Sequence, residues 1–192
     1  MSKRKVTYPI DNIFIKRWSP RAMSGQPVSK KELMQLFEAA RWAPSSYNTQ
    51  QWRFIYAHRE TKHWEKFFNL LVPFNQSWAK NAGALIVIIS KKTFEFNNKS
   101  SRTHSFDTGA AWMSMALEGS INGLVVHGME GFDYERAQKE LDIPEDFQVE
   151  AMCAVGKPGK VRDLPAELQD KEEPSDRKLL QEIIFEGSFK SK

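Results

Sequence analysis

The sequence predicts a mixed domain of the α/β or α+β class, because strand-like and helix-like segments alternate along the chain. Its 192 residues suit one domain, and a hydrophobic content of 41% provides a sizeable core and excludes wholesale disorder. The clearest strand is the continuously apolar run at residues 84–90, and the clearest helix spans residues 107–122. We expect a single domain over residues 1–192, with an extended N-terminal arm at residues 1–12 and an extended tail at residues 185–192.

The first predicted helix begins at Ser29 and ends near Ala43. Ser29 and Glu32 have the spacing of a capping box, in which the serine caps the helix and the glutamate reaches back. Helical geometry is disfavoured for the residue before Pro44, so the helix has to end there. Apolar side chains recur with helical spacing and form one face: Leu33, Leu36, Phe37 and Ala40.

A polar loop at residues 45–50 separates this helix from a predicted strand at residues 52–57. A second amphipathic helix follows at residues 64–71, and Pro73 is expected to close it. Residues 84–90 are apolar and rich in β-branched side chains, which is typical of a strand covered on both faces.

The predicted helix at residues 107–122 is apolar nearly all round, so we expect it to be buried centrally. One small sheet cannot cover so wide an apolar surface, and burial in a dimer interface is one solution. After Gly123 we expect a strand at residues 124–127, a helix at 133–141 and a strand at 149–155. A surface excursion rich in charge and proline is expected at residues 156–174, and a short last helix at 177–184.

The charge distribution argues against a nucleic-acid-binding protein, although the net charge is +4 and the pI about 9.1. Residues 1–30 hold seven basic residues and one acidic residue, so the remaining chain carries a net charge of −2. A basic segment this concentrated suits one small anion such as a phosphate. We interpret Lys3 to Lys5 as a solvated charged arm.

Several other classes of protein lack their sequence signatures. No apolar run is long enough to span a membrane, and no apolar stretch with a cleavage site follows the basic start, so we expect a cytoplasmic protein. Cys153, the single cysteine, lies in a strand pattern and is expected to be buried and inert. The four histidines show no ligand spacing, and no nucleophile elbow, Walker loop or dinucleotide fingerprint occurs. We expect neither a metal site nor a catalytic nucleophile.

Three polar clusters remain as candidate sites, and each taken alone also fits an ordinary surface turn or capped loop. Residues 16–21 place two arginines four apart around a serine, which suits the oxygens of a phosphate monoester. Residues 43–52 form a helix-to-strand loop crowded with hydrogen-bond donors and acceptors, which could read the edge of a heteroaromatic ring above Trp52. Residues 128–133 carry two glycines before a helix, where backbone N–H groups can approach a ligand.

In this order and at these separations the clusters resemble the nitroreductase family of FMN-dependent NAD(P)H oxidoreductases, across almost the whole chain. The matching pieces are an Arg-x-Ser-x-Arg opening, a Pro-Ser-Ser-x-Asn-x-Gln-x-Trp loop, an Asn before a buried strand, a Glu-Gly pair and a late Ser-Asp-Arg. The resemblance implies an α+β fold (an α/β/α sandwich) with a central, mostly antiparallel sheet flanked by helices, and an intertwined homodimer with a long buried interface helix. The FMN-binding residues it implies are Arg17, Trp18, Ser19, Arg21, Pro44, Ser45, Ser46, Asn48, Gln50, Asn75, Glu130, Gly131 and Arg177.

The resemblance also implies a role for each group of residues. Arg17, Ser19 and Arg21 would hold the FMN phosphate and ribityl chain, with Arg177 as a second phosphate clamp. Asn75 would meet the pyrimidine ring, and Glu130 and Gly131 would lie near flavin N5 and the ring oxygens. The loop from Pro44 to Gln50 would reach the flavin from the partner subunit, so both chains would line each site.

The implied activity is hydride transfer from NADH or NADPH to flavin N5, followed by reduction of a small acceptor such as a nitroaromatic, quinone, enone or flavin, with ping-pong kinetics. The protein itself would contribute position and electrostatics, while the flavin carries the chemistry. The chain departs from the family at Gln51, where a proline is common, and at Met23, where Phe is frequent. It is also short for the family, and the brief polar stretch at residues 91–107 predicts a small substrate cap.

Three alternatives stay open. A flavoprotein of the same fold could carry out other chemistry, such as reductive dehalogenation or flavin fragmentation. A non-catalytic FMN carrier would bind the flavin without oxidising NAD(P)H. A nucleic-acid-associated module is the alternative from a different class, since the N-terminus is basic.

Overall fold

A four-stranded sheet forms the centre of the computed structural model, which describes residues 4–189. The strands are β1 (Trp52–His58), β2 (Ala84–Lys91), β3 (Val125–Met129) and β4 (Phe147–Gly156), arranged in the order β1-β2-β4-β3. Each neighbouring pair is antiparallel. The predicted α+β class with a mostly antiparallel sheet is therefore confirmed.

Helices cover both faces of this sheet. They are α1 (Ile13–Lys16), α2 (Lys30–Arg41), α3 (Trp64–Phe68), α4 (Pro73–Ala79), α5 (His104–Ile121), α6 (Tyr134–Glu140) and α7 (Ala166–Gln169), with 3₁₀ turns at Ser46–Asn48, Val161–Asp163 and Leu180–Glu182. Side chains of α2 and α5 share one core cluster with one face of the sheet, and side chains of α3, α4 and α6 share another cluster with the opposite face. This is the layered arrangement expected when each apolar face must be buried.

The sequence pattern of β2 follows from its position between these two clusters. Leu85, Val87 and Ile89 pack into the cluster under α3 and α4, while Ile86 and Ile88 pack into the cluster under α2 and α5. Because both faces are covered, apolar residues do not alternate with polar ones, and the strand is continuously apolar.

The predicted capping box is present at the start of α2. The Ser29 hydroxyl oxygen accepts from the Glu32 backbone N–H at 3.2 Å, and a Glu32 carboxylate oxygen accepts from the Ser29 backbone N–H at 2.7 Å. The helix ends at Arg41, shortly before Pro44, as predicted.

The role predicted for Pro73 is wrong. The second helix ends at Phe68, and Pro73 begins α4 instead of closing a helix. Proline is well suited to the first turn of a helix, because its missing N–H would have no intrahelical partner there. The sequence signal is the same in both cases, so the pattern alone could not separate an end from a beginning.

The predicted helix at residues 177–184 is also wrong, since this segment forms only a 3₁₀ turn at Leu180–Glu182. Leu179, Ile183 and Ile184 are exposed. A short helix needs a packed apolar face to offset the unfavourable nucleation of its first turn, and within residues 4–189 this segment has none. Residues 4–12 and 185–189 belong to no helix or strand, while residues 1–3 and 190–192 of the predicted arm and tail lie outside the described residues.

Helix α5 begins three residues earlier than predicted and is buried on one side. Ala111 and Met115 are fully buried, whereas Phe106 is 80% exposed and Ile121 is 65% exposed. The single chain therefore covers only part of the helix surface that the sequence predicted to be buried.

Within residues 4–189, no helix combines the length and apolar character needed to cross a lipid bilayer.

Cys153 in β4 is fully buried, and burial raises the pKa of its thiol to about 12. Only about one thiol in ten thousand is then ionised at pH 8, and the thiolate is the reactive form. We expect dithionitrobenzoate to leave the native protein unmodified at pH 8 and to label one thiol per chain in guanidinium chloride. Stoichiometric labelling of the native protein within minutes would contradict this burial.

Candidate functional site

Five of the predicted site residues line one cavity of about 400 Å³, which we call the cationic cavity. They are Arg17, Trp18, Ser19, Arg21 and Arg177. The same cavity is also lined by Arg4, His127 and Lys171, which the sequence did not indicate as site residues. Five basic side chains converge here, and among the lining residues Glu173 is the acidic one. Such a concentration of positive charge suits an anionic group.

Arg4 anchors the segment that carries Arg17 and Arg21. Its guanidinium donates to the carbonyl oxygens of Ile15 at 2.6 Å, Arg17 at 2.9 Å and Ser175 at 3.0 Å. These bonds tie the N-terminus and the C-terminal excursion to the end of α1. The interpretation of Lys3 to Lys5 as a solvated arm is therefore wrong for Arg4, and Lys3 lies outside the described residues.

A carboxylate from the C-terminal excursion fixes the other end of this segment. One Glu172 oxygen accepts from the backbone N–H groups of Arg21 at 2.6 Å and Ala22 at 2.7 Å. The turn at Gly159 also packs closely against this segment, because a Cβ on Gly159 would lie 2.6 Å from the Met23 carbonyl carbon. Residues far away in the sequence thus set the positions of Arg17 and Arg21.

Two arginines of the cationic cavity, Arg17 and Arg21, each have a donor without a partner in the described residues. The Nε atoms of Arg17 and Arg21 are buried and make no hydrogen bond within the described residues, whereas Arg17 Nη1 donates to Ser19 Oγ at 3.3 Å. Burial, and then repulsion from Arg177 and Arg4, lowers the pKa of Arg17. Buried unpaired donors are destabilising unless an acceptor satisfies them, and a phosphate supplies such acceptors. The residues present fit a phosphate group.

His127 of β3 lines the cationic cavity and contacts the segment that carries the arginines. Its Nδ1 lies 2.9 Å from the Pro20 carbonyl oxygen, and its ring centroid lies 4.6 Å from that of Trp78. Burial, together with the nearby Arg21 and Arg17, lowers the pKa of His127, so the ring is neutral at pH 7 and Nδ1–H can donate to Pro20. A lone histidine in a strand pattern gave no signal for this role.

A second cavity of about 450 Å³ adjoins the first, and Ser19 lines both. Its other lining residues are Trp112, Gly128, Met129, Glu130, Tyr134, Glu150 and Ala151. Among residues 4–189, two carboxylates and no basic residue line it, so we call it the acidic cavity. Burial, and then the charges of Glu130 and Glu150, raises the pKa of Tyr134, which therefore keeps its phenol proton at neutral pH.

The predicted Asn75 and Gly131 are direct neighbours. Asn75 Nδ2 donates to the Gly131 carbonyl oxygen at 2.9 Å, and a Cβ on Gly131 would lie 2.7 Å from that nitrogen. The Arg21 guanidinium lies 6.0 Å from the ring centroid of Phe74, the residue before Asn75. The end of β3, the start of α4 and the arginine segment thus meet at one place.

The loop from Pro44 to Gln50 lines neither of these cavities in the part of the chain that the structure describes. Its Ser46 backbone N–H donates to an Asp107 carboxylate oxygen of α5 at 3.0 Å, and its Gln50 N–H donates to Ser45 Oγ at 3.0 Å. Tyr47, Asn48 and Gln50 have φ values of 53°, 56° and 49°. Three left-handed residues other than glycine within four positions store strain, which is typical of functional loops.

Among residues 4–189 there is no group of three or more histidine, cysteine or acidic side chains suited to a metal ion.

Comparisons with known proteins agree with this architecture. The model of the nitroreductase family matches residues 15–157. A crystal structure of an oxidoreductase containing FMN is 44% identical, covers 100% of this chain and 98% of its own, and superposes with a TM-score of 0.95. A putative nitroreductase from Desulfovibrio desulfuricans, solved in complex with FMN, shares the fold with a TM-score of 0.73 at 20% identity, over 96% of this chain and 100% of its own.

A relative identified by sequence similarity is also named as a nitroreductase. The putative NAD(P)H nitroreductase YodC of Bacillus subtilis is 23% identical in a match that covers 68% of this chain and 80% of YodC. With the family match covering most of the sequence and a solved structure similar over its whole length, the chain belongs to the nitroreductase family, a family of oxidoreductases.

Proposed function

We propose that the protein is an FMN-dependent oxidoreductase that takes hydride from NADH or NADPH and reduces a small acceptor such as a nitroaromatic, quinone, enone or flavin by a ping-pong mechanism. The observation that carries this proposal is the cationic cavity, where the buried Nε atoms of Arg17 and Arg21 lack acceptors. We further propose that the whole chain acts as one FMN-binding domain in a cytoplasmic homodimer. Its single, free cysteine is consistent with a reducing compartment.

The two adjoining cavities suit the two ends of FMN. Arg17, Arg21 and Arg177 would bind the phosphate, while Ser19, which lines both cavities, would lie between phosphate and ring. Asn75, Glu130 and Gly131 lie where the acidic cavity and the start of α4 meet, and would orient the ring edge. When bound, FMN supplies two-electron transfer, and the protein positions donor and acceptor against it.

A homodimer would complete this site with the partner's loop. The strained loop from Pro44 to Gln50 is attached to α5 through Asp107, and the exposed Phe106 is the neighbouring residue. An exposed apolar helix face and a strained, exposed loop side by side support the proposal that both meet a second copy. Pro44, Ser45, Ser46, Asn48 and Gln50 would then contact FMN in the partner's cavities.

The purified protein is expected to show the yellow flavin absorption and to release about one FMN per chain on heating. Chromatography of the released compound identifies FMN, and anaerobic addition of NADH or NADPH should bleach the visible band. A protein that stays colourless after soaking in FMN would overturn the proposed function. A band that neither nicotinamide bleaches would instead favour the FMN carrier, and product analysis with and without air separates reductase activity from dehalogenation or flavin fragmentation.

The nucleic-acid alternative is disfavoured by the positions of the basic residues. Arg4, Arg17 and Arg21 converge on one cavity of about 400 Å³, whereas a duplex needs basic residues spread along a surface.

A further inference from the structure

A chain of hydrogen bonds joins the N-terminal end of α5 to the acidic cavity. His104 Nδ1 lies 2.7 Å from Ser90 Oγ, and the Ser90 hydroxyl donates to Glu150 Oε1. A hydroxyl has one proton to donate, so the Ser90 oxygen accepts the proton carried by His104 Nδ1. The order is therefore His104 Nδ1–H to Ser90 Oγ–H to Glu150 Oε1.

The middle residue of this series of hydrogen bonds is closed to water, while the two end residues are partly exposed. Ser90 is fully buried, whereas the side chains of His104 and Glu150 are 16% and 18% exposed. Glu150 lines the acidic cavity, and His104 lies outside the set of residues that lines it. A proton that enters at the histidine can thus reach the cavity through protein groups alone.

An irregularity of the sheet places Glu150 at this position. In the pairing of β2 with β4, Ile88 faces Ala151 and Ile89 faces Val149, so Glu150 is an extra residue without a ladder partner. A β-bulge of this kind redirects the side chain and is frequent beside active sites. The carboxylate is then held by two further donors, the Ser105 hydroxyl at 2.7 Å and Gln148 Nε2 at 3.2 Å.

Reduction of an acceptor by hydride consumes one proton for each hydride, and the nicotinamide supplies only the hydride. The titratable groups that line the acidic cavity are Glu130, Tyr134 and Glu150, and His104 faces Glu150 from α5. Glu130 is exposed, and the Tyr134 phenol holds its proton tightly. Of the three lining groups, Glu150 is connected to a histidine through a hydrogen-bonded hydroxyl.

We propose that His104, Ser90 and Glu150 form a proton relay that delivers a solvent proton to the acceptor in the acidic cavity, a role that rests on the proposed function. Water protonates His104 Nε2, the Nδ1 proton moves to Ser90 Oγ, and the Ser90 proton moves to Glu150 Oε1. The Glu150 carboxyl group then protonates the acceptor atom that becomes O–H or N–H. Each step breaks one bond to hydrogen and forms one. The Ser90 hydroxyl then turns back towards Glu150, and the imidazole turns towards water, where it loses the Nε2 proton and accepts a proton at Nδ1, which restores the start.

The first test needs no activity. In protein labelled with ¹⁵N-histidine, the Nδ1–H signal of His104, assigned by its absence in H104Q, is expected to exchange slowly with water. S90A combined with S105A, since the Ser105 oxygen lies 3.3 Å from the same nitrogen, should accelerate that exchange at least tenfold. S77A, which alters a partly exposed serine of α4, should leave it unchanged. A rapidly exchanging Nδ1–H in the unaltered protein overturns the relay.

The second test separates the two half-reactions by stopped flow on FMN-loaded protein. E150Q and H104Q should slow acceptor reduction at least tenfold, reduce its solvent deuterium isotope effect and flatten its pH profile, while flavin reduction by NAD(P)H stays within twofold. H63Q, an exposed histidine, is the matched control, and added imidazole should restore acceptor reduction in H104A. Equal slowing of both half-reactions, or none, overturns the relay and leaves the proposed function standing. Wild-type protein that binds no FMN overturns the proposed function itself, and with it the acceptor that the relay would serve.

Discussion

Replacing Arg17 and Arg21 together by alanine is expected to weaken FMN binding by about a hundredfold or more while leaving the fold intact. Each guanidinium that hydrogen-bonds a phosphate contributes about 1.5–3 kcal/mol, and two such losses correspond to at least this factor. Both side chains line the cationic cavity and have a buried Nε without a partner in the described residues, so the fold itself does not depend on those donors. Titration of the apoprotein with FMN, followed by flavin fluorescence, measures the change.

A double variant with the same loss of charge elsewhere is the matched control. Arg41 and Arg162 are exposed on the surface, at 54% and 76% of their side-chain areas, and neither lines the cationic cavity. R41A/R162A should therefore bind FMN as the unaltered protein does at moderate salt, where long-range attraction is screened. Since Arg21 and Arg17 help to lower the pKa of His127, their removal should also raise that pKa, which NMR can follow. Stoichiometric FMN retained by R17A/R21A after dialysis would refute the phosphate assignment.

Replacing Trp78 by alanine is expected to lower the free energy of unfolding by about 3–5 kcal/mol, the range for a large aromatic side chain removed from a packed core. Trp78 in α4 is 1% exposed and packs against the His127 ring. Its loss leaves a cavity beneath the residue that holds the Pro20 carbonyl. Urea unfolding followed by circular dichroism, at fixed protein concentration, gives the difference.

Two variants calibrate this result. W78F keeps an aromatic ring and should lose clearly less stability than W78A. W42A removes a tryptophan that is 75% exposed, and its effect should stay within about 1 kcal/mol. Equal losses from W78A and W42A would contradict the core position of Trp78. A loss of FMN affinity in W78A at temperatures where it remains folded would show that α4 and His127 position the arginine segment.

The elements that could be predicted from the sequence are those whose signals lie within a few residues. The capping box at Ser29 and Glu32 defines the start of α2, and the apolar run of β2 identifies a strand covered on both faces. Pro73 shows the limit of such signals, because a proline ends one helix and begins another with the same local chemistry. The helix predicted at residues 177–184 is absent, because within residues 4–189 its apolar side chains find no surface to pack against.

The candidate site likewise has a part that local sequence signals indicated and a part that they did not. Arg17, Ser19 and Arg21 are close in sequence, so their spacing alone predicted an anion site, and the order of motifs indicated the family that the comparisons then showed. The roles of the loop from Pro44 to Gln50 in a partner's site remain predictions, because the loop does not reach the described cavities of its own chain.

By itself, the sequence determined the class of fold, most of its strands and helices, and the arginine motif, because periodicity, capping and short motifs act between residues that are near in the chain. Only the tertiary structure decided that Arg4 and His127 join the arginines, and that a bulge in β4 directs Glu150 towards Ser90. These groups are brought together by strand pairing and by the docking of distant segments. Such contacts depend on how the whole chain buries its apolar surface, so no local pattern records them.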